Sequence, residues 1–148
     1  MTVVGWDPIS VPESFLAETG LKLVEQDELL QSADFVTLHC DLNPSSYHLI
    51  DRAELELMRP AAYLINTSRG PVVDEPALIN ALRDGTIAGA ALDVFETEPL
   101  PADSPLRQLT NCLLAPHNSN CGLAAKKRVH ESTINNLLAV LNRQTDGR

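Results

Sequence analysis

Three ionisable residues, Arg69, Glu98 and His117, each follow a short apolar run that is typical of a buried strand. The carboxyl ends of neighbouring parallel strands meet at one edge of an open α/β sheet, where ligands bind, so these side chains are expected to converge on one cleft. A guanidinium binds anions through paired donors, and an imidazole exchanges protons near neutral pH. Each of them alone is better explained as a solvated surface charge. The hypothesis of a shared cleft therefore depends on all three lying at the ends of neighbouring strands. The apolar runs are residues 63–67, 87–94 and 112–116.

The elements that position the first two residues form a strand–helix–strand crossover. Asp74 is expected to cap the helix, Pro76 fits its first turn because no backbone donor is needed there, and Gly85 ends it. The helix presents one apolar face, formed by Leu78, Ile79 and Leu82. A crossover of this kind joins two parallel strands and therefore predicts an α/β fold.

Four longer motifs carry a family resemblance. The segments TSRGPVVDEPALINAL, ALDVFETEPL and LLAPHNS resemble the NAD-dependent D-2-hydroxyacid dehydrogenases. The segment LHCDLNPSSYHLI is similar to the branch that holds the C-terminal-binding-protein corepressors and the phosphoglycerate-dehydrogenase-like enzymes. The resemblance extends from about Thr2 to about Leu141. It implies reversible hydride transfer between NAD(H) and a D-2-hydroxy acid or the matching 2-keto acid.

The resemblance also implies a role for each of the three ionisable residues. Arg69 is expected to bind the substrate carboxylate and polarise the carbonyl, because a guanidinium keeps its charge and donates in pairs. His117 is expected to be the acid/base, and Glu98 is expected to orient the imidazole and favour its protonated form. No metal is expected, because the spacing of His117 and Cys121 is not accompanied by the further ligands of a zinc site.

The contacts with NAD that the resemblance implies are spread along the chain. Asp7 is expected to accept hydrogen bonds from the adenosine ribose, which favours NAD over NADP, and its alternative is a turn former before Pro8. The loop of residues 40–46 is expected to line the adenosine and phosphate side, and a plain turn is its alternative. Asp93 is expected to hold the nicotinamide carboxamide. The full set of expected contacts is Asp7, Cys40, Leu42, Asn43, Ser46, Thr67, Ser68, Arg69, Asp93, His117 and Asn120.

Enzymes of the family carry a glycine-rich turn, G-x-G-x-x-G, after the first strand, and none of the seven glycines here has that spacing. The predicted fold is therefore α/β, a partial Rossmann-type doubly wound parallel sheet that lacks the first strand and its glycine-rich loop. Residues 1–148 are expected to be a truncated NAD-binding domain, from the second strand onward, with the substrate domain absent. Because the first strand is central in the order 3-2-1-4-5-6, the strands near Val4 and Leu23 are expected to lack a ladder partner in the remaining sheet. The expected consequence is that the chain folds marginally, or folds only as a homo-oligomer or together with a complementing piece.

Charge and composition narrow the function classes further. A net charge of −9 argues against a nucleic-acid surface, and the sequence has neither an apolar run of membrane-spanning length nor a signal peptide. A cytoplasmic location is expected, with Cys40, Cys112 and Cys121 as free thiols because their number is odd and no C-x-x-C pair occurs. Two other interpretations stay open: a non-catalytic NAD-binding interaction protein of the corepressor type, and an inactive fragment.

Two further expectations concern residues outside the expected catalytic set. His39 and His48 are expected to form local hydrogen bonds and to have no catalytic role. A long helix over residues 123–141 is expected to pack against a core through a stripe at helical spacing, formed by Ile134, Leu137, Leu138 and Leu141.

Overall fold

The computed structural model describes residues 1–119 and 121–145, which divide into two compact units, Met1–Pro116 and His117–Arg148. The second unit contains one described helix, α5, at Leu123–Thr145. Short 3-10 helices lie at Gly70–Val72 and Pro105–Gln108. The strands and α-helices of the first unit are, in chain order, β1 (Val4–Gly5), α1 (Glu13–Thr19), β2 (Lys22–Leu23), α2 (Gln26–Ser32), β3 (Phe35–Leu38), α3 (Arg52–Leu57), β4 (Tyr63–Asn66), α4 (Glu75–Asp84), β5 (Gly89–Leu92) and β6 (Cys112–Leu114).

The strands of the first unit form two separate parallel sheets. One sheet has two strands in the order β1-β2, and the other has four in the order β3-β4-β5-β6. In the larger sheet Leu64 of β4 lies between Val36 of β3 and Ala90 of β5. The predicted parallel α/β fold is therefore confirmed. Among the described residues no ladder joins the two sheets, as expected for a doubly wound sheet without its first strand.

Local sequence signals explain where the helices begin and end. The Asp74 Oδ1 atom accepts a hydrogen bond of 2.9 Å from the Ala77 amide, which caps α4. Gly85 ends α4 with a φ of 72°, and Gly20 ends α1 with a φ of 67°. Both glycines adopt the left-handed conformation that costs residues with a Cβ atom more. Asp51 caps α3 through a complete capping box, in which the Glu54 side chain accepts a hydrogen bond from the Asp51 amide.

Replacing Asp74 with alanine is expected to lower the free energy of unfolding by about 1 kcal/mol, because the Ala77 amide loses its acceptor. The variant Asp74→Asn keeps an acceptor oxygen at the same position and is expected to retain most of that stability. Urea unfolding of the two variants and the wild-type chain measures the difference. Equal losses in both variants would contradict capping as the role of this side chain.

The core of the first unit is formed by the larger sheet and the helices that connect its strands. The side chains of Leu30, Leu55, Leu64 and Leu78 are each no more than 1% exposed. The apolar face of α4 is buried as predicted. None of residues 1–29, which are described without a gap, is buried. The two-stranded sheet and α1 therefore contribute almost nothing to this core.

The prediction that the apolar stripe of α5 packs as ordinary core is wrong. Ile134, Leu137, Leu138 and Leu141 are between 47% and 58% exposed. No residue from 121 to 142 is buried, so the described part of the second unit has no hydrophobic core. The helix period alone marks an amphipathic element and does not identify what the stripe contacts. Within the part of the chain that is described, no helix combines the length and the apolar character that crossing a membrane requires.

Candidate functional site

A cavity of about 530 Å³ opens where the loops after β3 and β4 meet, at the carboxyl ends of these strands. Five of the predicted NAD contacts line it: Cys40, Leu42, Thr67, Ser68 and Arg69. His39 and Asp41 line it as well, although neither was among the individual residues predicted to contact NAD. Asp41 lies in the loop of residues 40–46 that was expected to line the cofactor, and both residues follow β3, whose end faces the ligand edge of the parallel sheet.

The loop that carries Arg69 is organised by Asn66, which is 1% exposed at the end of β4. The Asn66 carboxamide oxygen accepts hydrogen bonds from the Ser68 amide at 3.0 Å and from the Ser68 hydroxyl at 2.9 Å. Its Nδ2 atom donates to the Arg69 carbonyl at 2.9 Å. One buried side chain therefore determines the path of residues 67–69. Asn66 was not among the predicted site residues, although an Asn two residues before a Ser is typical of a side-chain turn.

The Arg69 side chain is exposed at the rim of this cavity. Its Nη1 atom donates to the Ser68 carbonyl at 2.7 Å, which uses one of the five donors of the guanidinium. The backbone that carries the guanidinium is held by Asn66. A fixed, permanently charged group at a cavity mouth is suited to holding a carboxylate through paired hydrogen bonds.

The loop after β3 is fixed by its own polar side chains. The Ser46 hydroxyl donates to the Asp41 carbonyl at 2.6 Å and accepts from the Asn43 amide at 2.9 Å. The Asn43 side-chain oxygen accepts from the amides of Ser45 and Ser46 at 2.8 and 3.2 Å. Neither Asn43 nor Ser46 lines the cavity, so the structure agrees with the plain-turn alternative for these two residues. Their expected contact with the cofactor stays a prediction.

The loops that carry Arg69 and Glu98 touch through their backbones. A Cβ atom placed on Gly70 would overlap the carbonyl group of Phe95 and would lie 2.5 Å from the Glu96 amide nitrogen. On the other side of this contact, the Glu98 Oε1 atom accepts a hydrogen bond of 3.0 Å from the Phe95 amide. Two of the three predicted catalytic residues therefore lie on loops that are packed together at one edge of the larger sheet.

Asp93 lies at the same edge, directly after β5, and is 4% exposed. Its amide donates to the Asn66 carbonyl at 3.0 Å, which extends the pairing of β4 and β5 by one residue. The buried carboxylate of Asp93 thus lies beside the strand end that organises the Arg69 loop. Its expected contact with the nicotinamide carboxamide stays a prediction.

His48 connects three segments beneath this edge. Its Nε2 atom lies 2.8 Å from Glu96 Oε1, and its Nδ1 atom lies 3.7 Å from Asp74 Oδ2. Tyr47 stacks on the imidazole with ring centroids 4.0 Å apart. His39 forms a local contact of 3.0 Å with the Thr37 hydroxyl. His39 therefore forms the predicted local hydrogen bond, whereas the partners of His48 are distant in the sequence. That neither histidine is catalytic stays a prediction.

Asp7 lies directly after β1, and its Oδ1 atom accepts a hydrogen bond of 2.8 Å from the Ile9 amide. This bond is the turn-forming geometry that was the alternative to a ribose contact. Burial raises the pKa of the Cys40 thiol, and the negative charges of Asp41 and Asp7 act in the same direction. The carboxylate of Asp7 is therefore within electrostatic reach of a residue that lines the cavity, and its ribose contact stays a prediction.

The remaining predicted residues lie in the second unit or outside the description. His117 is the first residue of the second unit and has a φ of 53°. Asn120 lies outside the described residues. The catalytic role of His117 stays a prediction, like that of Arg69 and Glu98. In the part of the chain that the structure describes, no group of three or more His, Cys, Asp or Glu side chains could hold a metal ion.

Comparison with known proteins identifies the family. The sequence profile of the D-isomer specific 2-hydroxyacid dehydrogenase, NAD binding domain, matches residues 1–119. The chain belongs to this family. A glyoxylate reductase of Thermofilum pendens is 49% identical over 122 residues, which are 82% of this chain and 36% of that protein. NAD is thus the cofactor of the domain family to which the chain belongs.

Solved structures of the family have the same fold. A D-lactate dehydrogenase from Sporolactobacillus is 40% identical with a TM-score of 0.82, over 95% of this chain and 45% of that one. The NAD-complexed 2-hydroxyacid dehydrogenase of Lactobacillus delbrueckii ssp. bulgaricus is 31% identical with a TM-score of 0.81, over 95% and 46%. The chain therefore spans less than half the length of each of these relatives.

The cavity is suited to holding part of an NAD molecule. Its volume is within the range of small-molecule sites, and it lies at the strand ends where dinucleotides bind in doubly wound sheets. The hydroxyl-bearing residues Thr67 and Ser68 and the cation Arg69 are polar groups of the kind that fix a nicotinamide riboside and a carboxylate. A pyrophosphate is normally held by the amides of a glycine-rich turn, and no glycines of this chain have that spacing.

Proposed function

We propose that this chain forms part of an NAD(H) site that exchanges hydride with a D-2-hydroxy acid or a 2-keto acid. The observation that carries the proposal is the cavity at the carboxyl ends of β3 and β4, with Arg69 at its rim. The contact between Gly70 and Phe95 supports it, because it brings the loops of Arg69 and Glu98 together. We also propose that residues 1–148 correspond to the part of the NAD-binding domain that follows its first strand.

In this proposal the side chains divide the chemistry among them. Bound NAD accepts or supplies the hydride. Arg69 binds the substrate carboxylate and polarises the carbonyl, His117 gives the alcohol oxygen its proton or removes it, and Glu98 stabilises the protonated imidazole. Thr67 and Ser68 hold the nicotinamide ribose.

The same proposal gives Asp7 and Asp93 complementary roles at the two ends of the cofactor. Asp93 accepts hydrogen bonds from the nicotinamide carboxamide, which fixes the face of the ring that exchanges hydride. Asp7 accepts from the adenosine ribose and repels a 2′-phosphate, so NADH is the preferred cofactor over NADPH. The cavity-lining segment of residues 39–42 supports placing the adenosine and phosphate side of NAD at the loop after β3.

A second candidate function uses the same cavity without turnover. The segment LHCDLNPSSYHLI, which resembles the corepressor branch, supplies four of the seven cavity-lining residues. In that case the chain is an NAD-binding interaction protein, and the loop after β3 reports cofactor occupancy to a partner. Binding and turnover measured on the same sample separate the two candidates.

Alkylation of the free thiols tests cofactor binding, because Cys40 lines the cavity and Cys112 lies in β6 outside the lining. NADH at about 1 mM is expected to slow the alkylation of Cys40 about fourfold if the dissociation constant is about 0.3 mM. Cys112, whose pKa is raised to about 11 by burial, is the internal control and is expected to keep its slow rate. NADPH is expected to protect Cys40 less than NADH.

Absorbance at 340 nm then tests turnover of glyoxylate, hydroxypyruvate, 2-ketobutyrate and pyruvate. Consumption of NADH supports the dehydrogenase, whereas protection of Cys40 without consumption supports the interaction protein. If NADH neither changes the alkylation of Cys40 nor produces heat in a calorimetric titration, both candidate functions of this chain are wrong.

A further inference from the structure

His48 is held in an uncommon backbone conformation. Its φ is 51°, in the left-handed region that is unfavourable for residues with a Cβ atom. The His48 amide donates to the Pro71 carbonyl at 2.8 Å, and the Ile50 amide donates to the Val72 carbonyl at 3.1 Å. These bonds attach the turn to the chain between β4 and α4. A residue keeps such a conformation where its surroundings fix it, and such residues are common where a side chain has a role to perform.

The side chain of His48 is directed at the loop after β5. Its Nε2 atom lies 2.8 Å from Glu96 Oε1, which is within hydrogen-bond distance. Its Nδ1 atom lies 3.7 Å from Asp74 Oδ2, which is beyond that distance. Tyr47 stacks on the imidazole with an angle of 16° between the ring planes. Of the two carboxylates, Glu96 is therefore the hydrogen-bond partner of His48.

Glu96 is itself attached to the first residue of α4. Its Oε1 atom accepts a hydrogen bond of 3.2 Å from the Glu75 amide, and its own amide donates to Glu75 Oε2 at 3.2 Å. The preceding residue, Phe95, donates its amide to Glu98 Oε1 at 3.0 Å. The contact between His48 and Glu96 therefore reaches the short loop whose backbone holds the Glu98 carboxylate.

His48 is joined to the cavity through its own loop and lies outside the cavity lining. The lining includes residues 39–42 and does not include His48. The Ser46 hydroxyl donates to the Asp41 carbonyl at 2.6 Å, which connects the lining part of the loop to the turn before His48. A movement of either loop is therefore passed to the other through His48 and Glu96.

We propose that His48 is a positioning residue, which holds the loop that carries Glu98 against the loop that lines the cavity. An ionised carboxylate only accepts hydrogen bonds, so the proton of the bond to Glu96 lies on Nε2 of His48. The effect on hydride transfer rests on the proposed function, in which Glu98 stabilises the protonated imidazole of His117. A displaced Glu98 would then slow the transfer of the proton and leave the binding of the substrate carboxylate unchanged.

Two substitutions separate the side-chain contact of His48 from its backbone conformation. The amide nitrogen of glutamine can reach the position of Nε2, whereas that of the shorter asparagine reaches only the position of Nδ1. Asparagine, in turn, tolerates the left-handed conformation better than glutamine does. The contact with Glu96 therefore favours His48→Gln, and the backbone favours His48→Asn.

Amide exchange of residues 95–98 in the 148-residue chain measures how firmly the Glu98 loop is held. His48→Asn is expected to exchange about tenfold faster than the wild type there, and His48→Gln within about twofold of it. Glu96→Ala breaks the same contact without changing the backbone of His48, and is expected to speed exchange as well. Adding His48→Asn to Glu96→Ala is expected to cause no further increase, because the two residues act through one contact.

The reverse order of the two substitutions would contradict this role. If His48→Gln exchanges faster than His48→Asn at residues 95–98, or if both exchange like the wild type, His48 acts through its backbone alone and the proposal is wrong. A further tenfold increase in the double variant also overturns it, because His48 would then act independently of Glu96.

Turnover separates this role from the proposed function. If the wild type reduces glyoxylate, His48→Asn is expected to lower kcat about tenfold and to change KM for glyoxylate by less than about threefold, and His48→Gln to restore most of kcat. Unchanged kcat despite faster exchange overturns a positioning role in the reaction. Exchange in the expected order without turnover by the wild type keeps His48 as the residue that holds the loop and removes the proposed dehydrogenase. Turnover by the wild type with unchanged exchange in every variant keeps the proposed function and overturns the role of His48.

Discussion

Replacing Gly70 with alanine is expected to lower the free energy of unfolding by about 3 kcal/mol. The new Cβ atom would overlap the Phe95 carbonyl group and lie 2.5 Å from the Glu96 amide nitrogen. These neighbours are backbone atoms, so no side chain can rotate away. Relief requires that one of the two loops move, which would also separate Arg69 from Glu98. Urea unfolding measures the loss of stability.

Gly122→Ala is the matched control for this substitution. No heavy atom lies within 4 Å of a Cβ placed on Gly122, so the same methyl group is expected to change stability by no more than about 0.5 kcal/mol. If Gly70→Ala unfolds at the same urea concentration as the wild type, the close contact between the two loops is not present in solution. If the variant does not fold at all while Gly122→Ala does, the contact is essential to the first unit.

Replacing Asn66 with leucine is expected to lower the free energy of unfolding by about 3 kcal/mol. Leucine places an apolar side chain at a position that is 1% exposed, so the site stays filled. The substitution removes the hydrogen-bond partner of three polar groups. These groups are the Ser68 amide, the Ser68 hydroxyl and the Arg69 carbonyl. Leaving a buried donor or acceptor unpaired costs about 1–3 kcal/mol, and relaxation of the loop toward water recovers part of the sum.

Amide exchange distinguishes a local change in the loop from a general loss of packing in Asn66→Leu. Residues 67–69 are expected to exchange faster in Asn66→Leu even in solutions where the variant remains folded. Asn135→Leu, at an exposed position of α5, is the control and is expected to be nearly neutral. Unchanged exchange at residues 67–69 would show that the loop holds its path without the Asn66 carboxamide.

The features that local signals determine were predictable from the sequence. Asp74 and Gly85 bound α4 as expected, because a capping carboxylate and a left-handed glycine act on the neighbouring residues alone. The separation of the two sheets was predictable too, because the family's strand order leaves the strands near Val4 and Leu23 without a direct neighbour among the other strands of this sequence.

The features that depend on distant contacts were not predictable in this way. The α5 stripe has the period of a packed helix, yet period does not show what surrounds a helix. Asn66 looks like any polar residue after an apolar run, and its importance comes from burial that β4 receives from both neighbouring strands. His39 and Asp41 enter the cavity because of the path of a loop, which the turn residues Asn43 and Ser46 set.

The shallow packing of the first 29 residues has a consequence for cofactor affinity. A segment without a buried side chain is expected to open at a lower free-energy cost than the core. Asp7, the proposed ribose acceptor, is carried by this segment, so the proposed contact can form only in the fraction of molecules in which the segment is closed. The apparent dissociation constant is the intrinsic constant divided by that fraction. Any interaction that holds this segment closed is therefore expected to lower the apparent dissociation constant of the nucleotide without contacting the nucleotide.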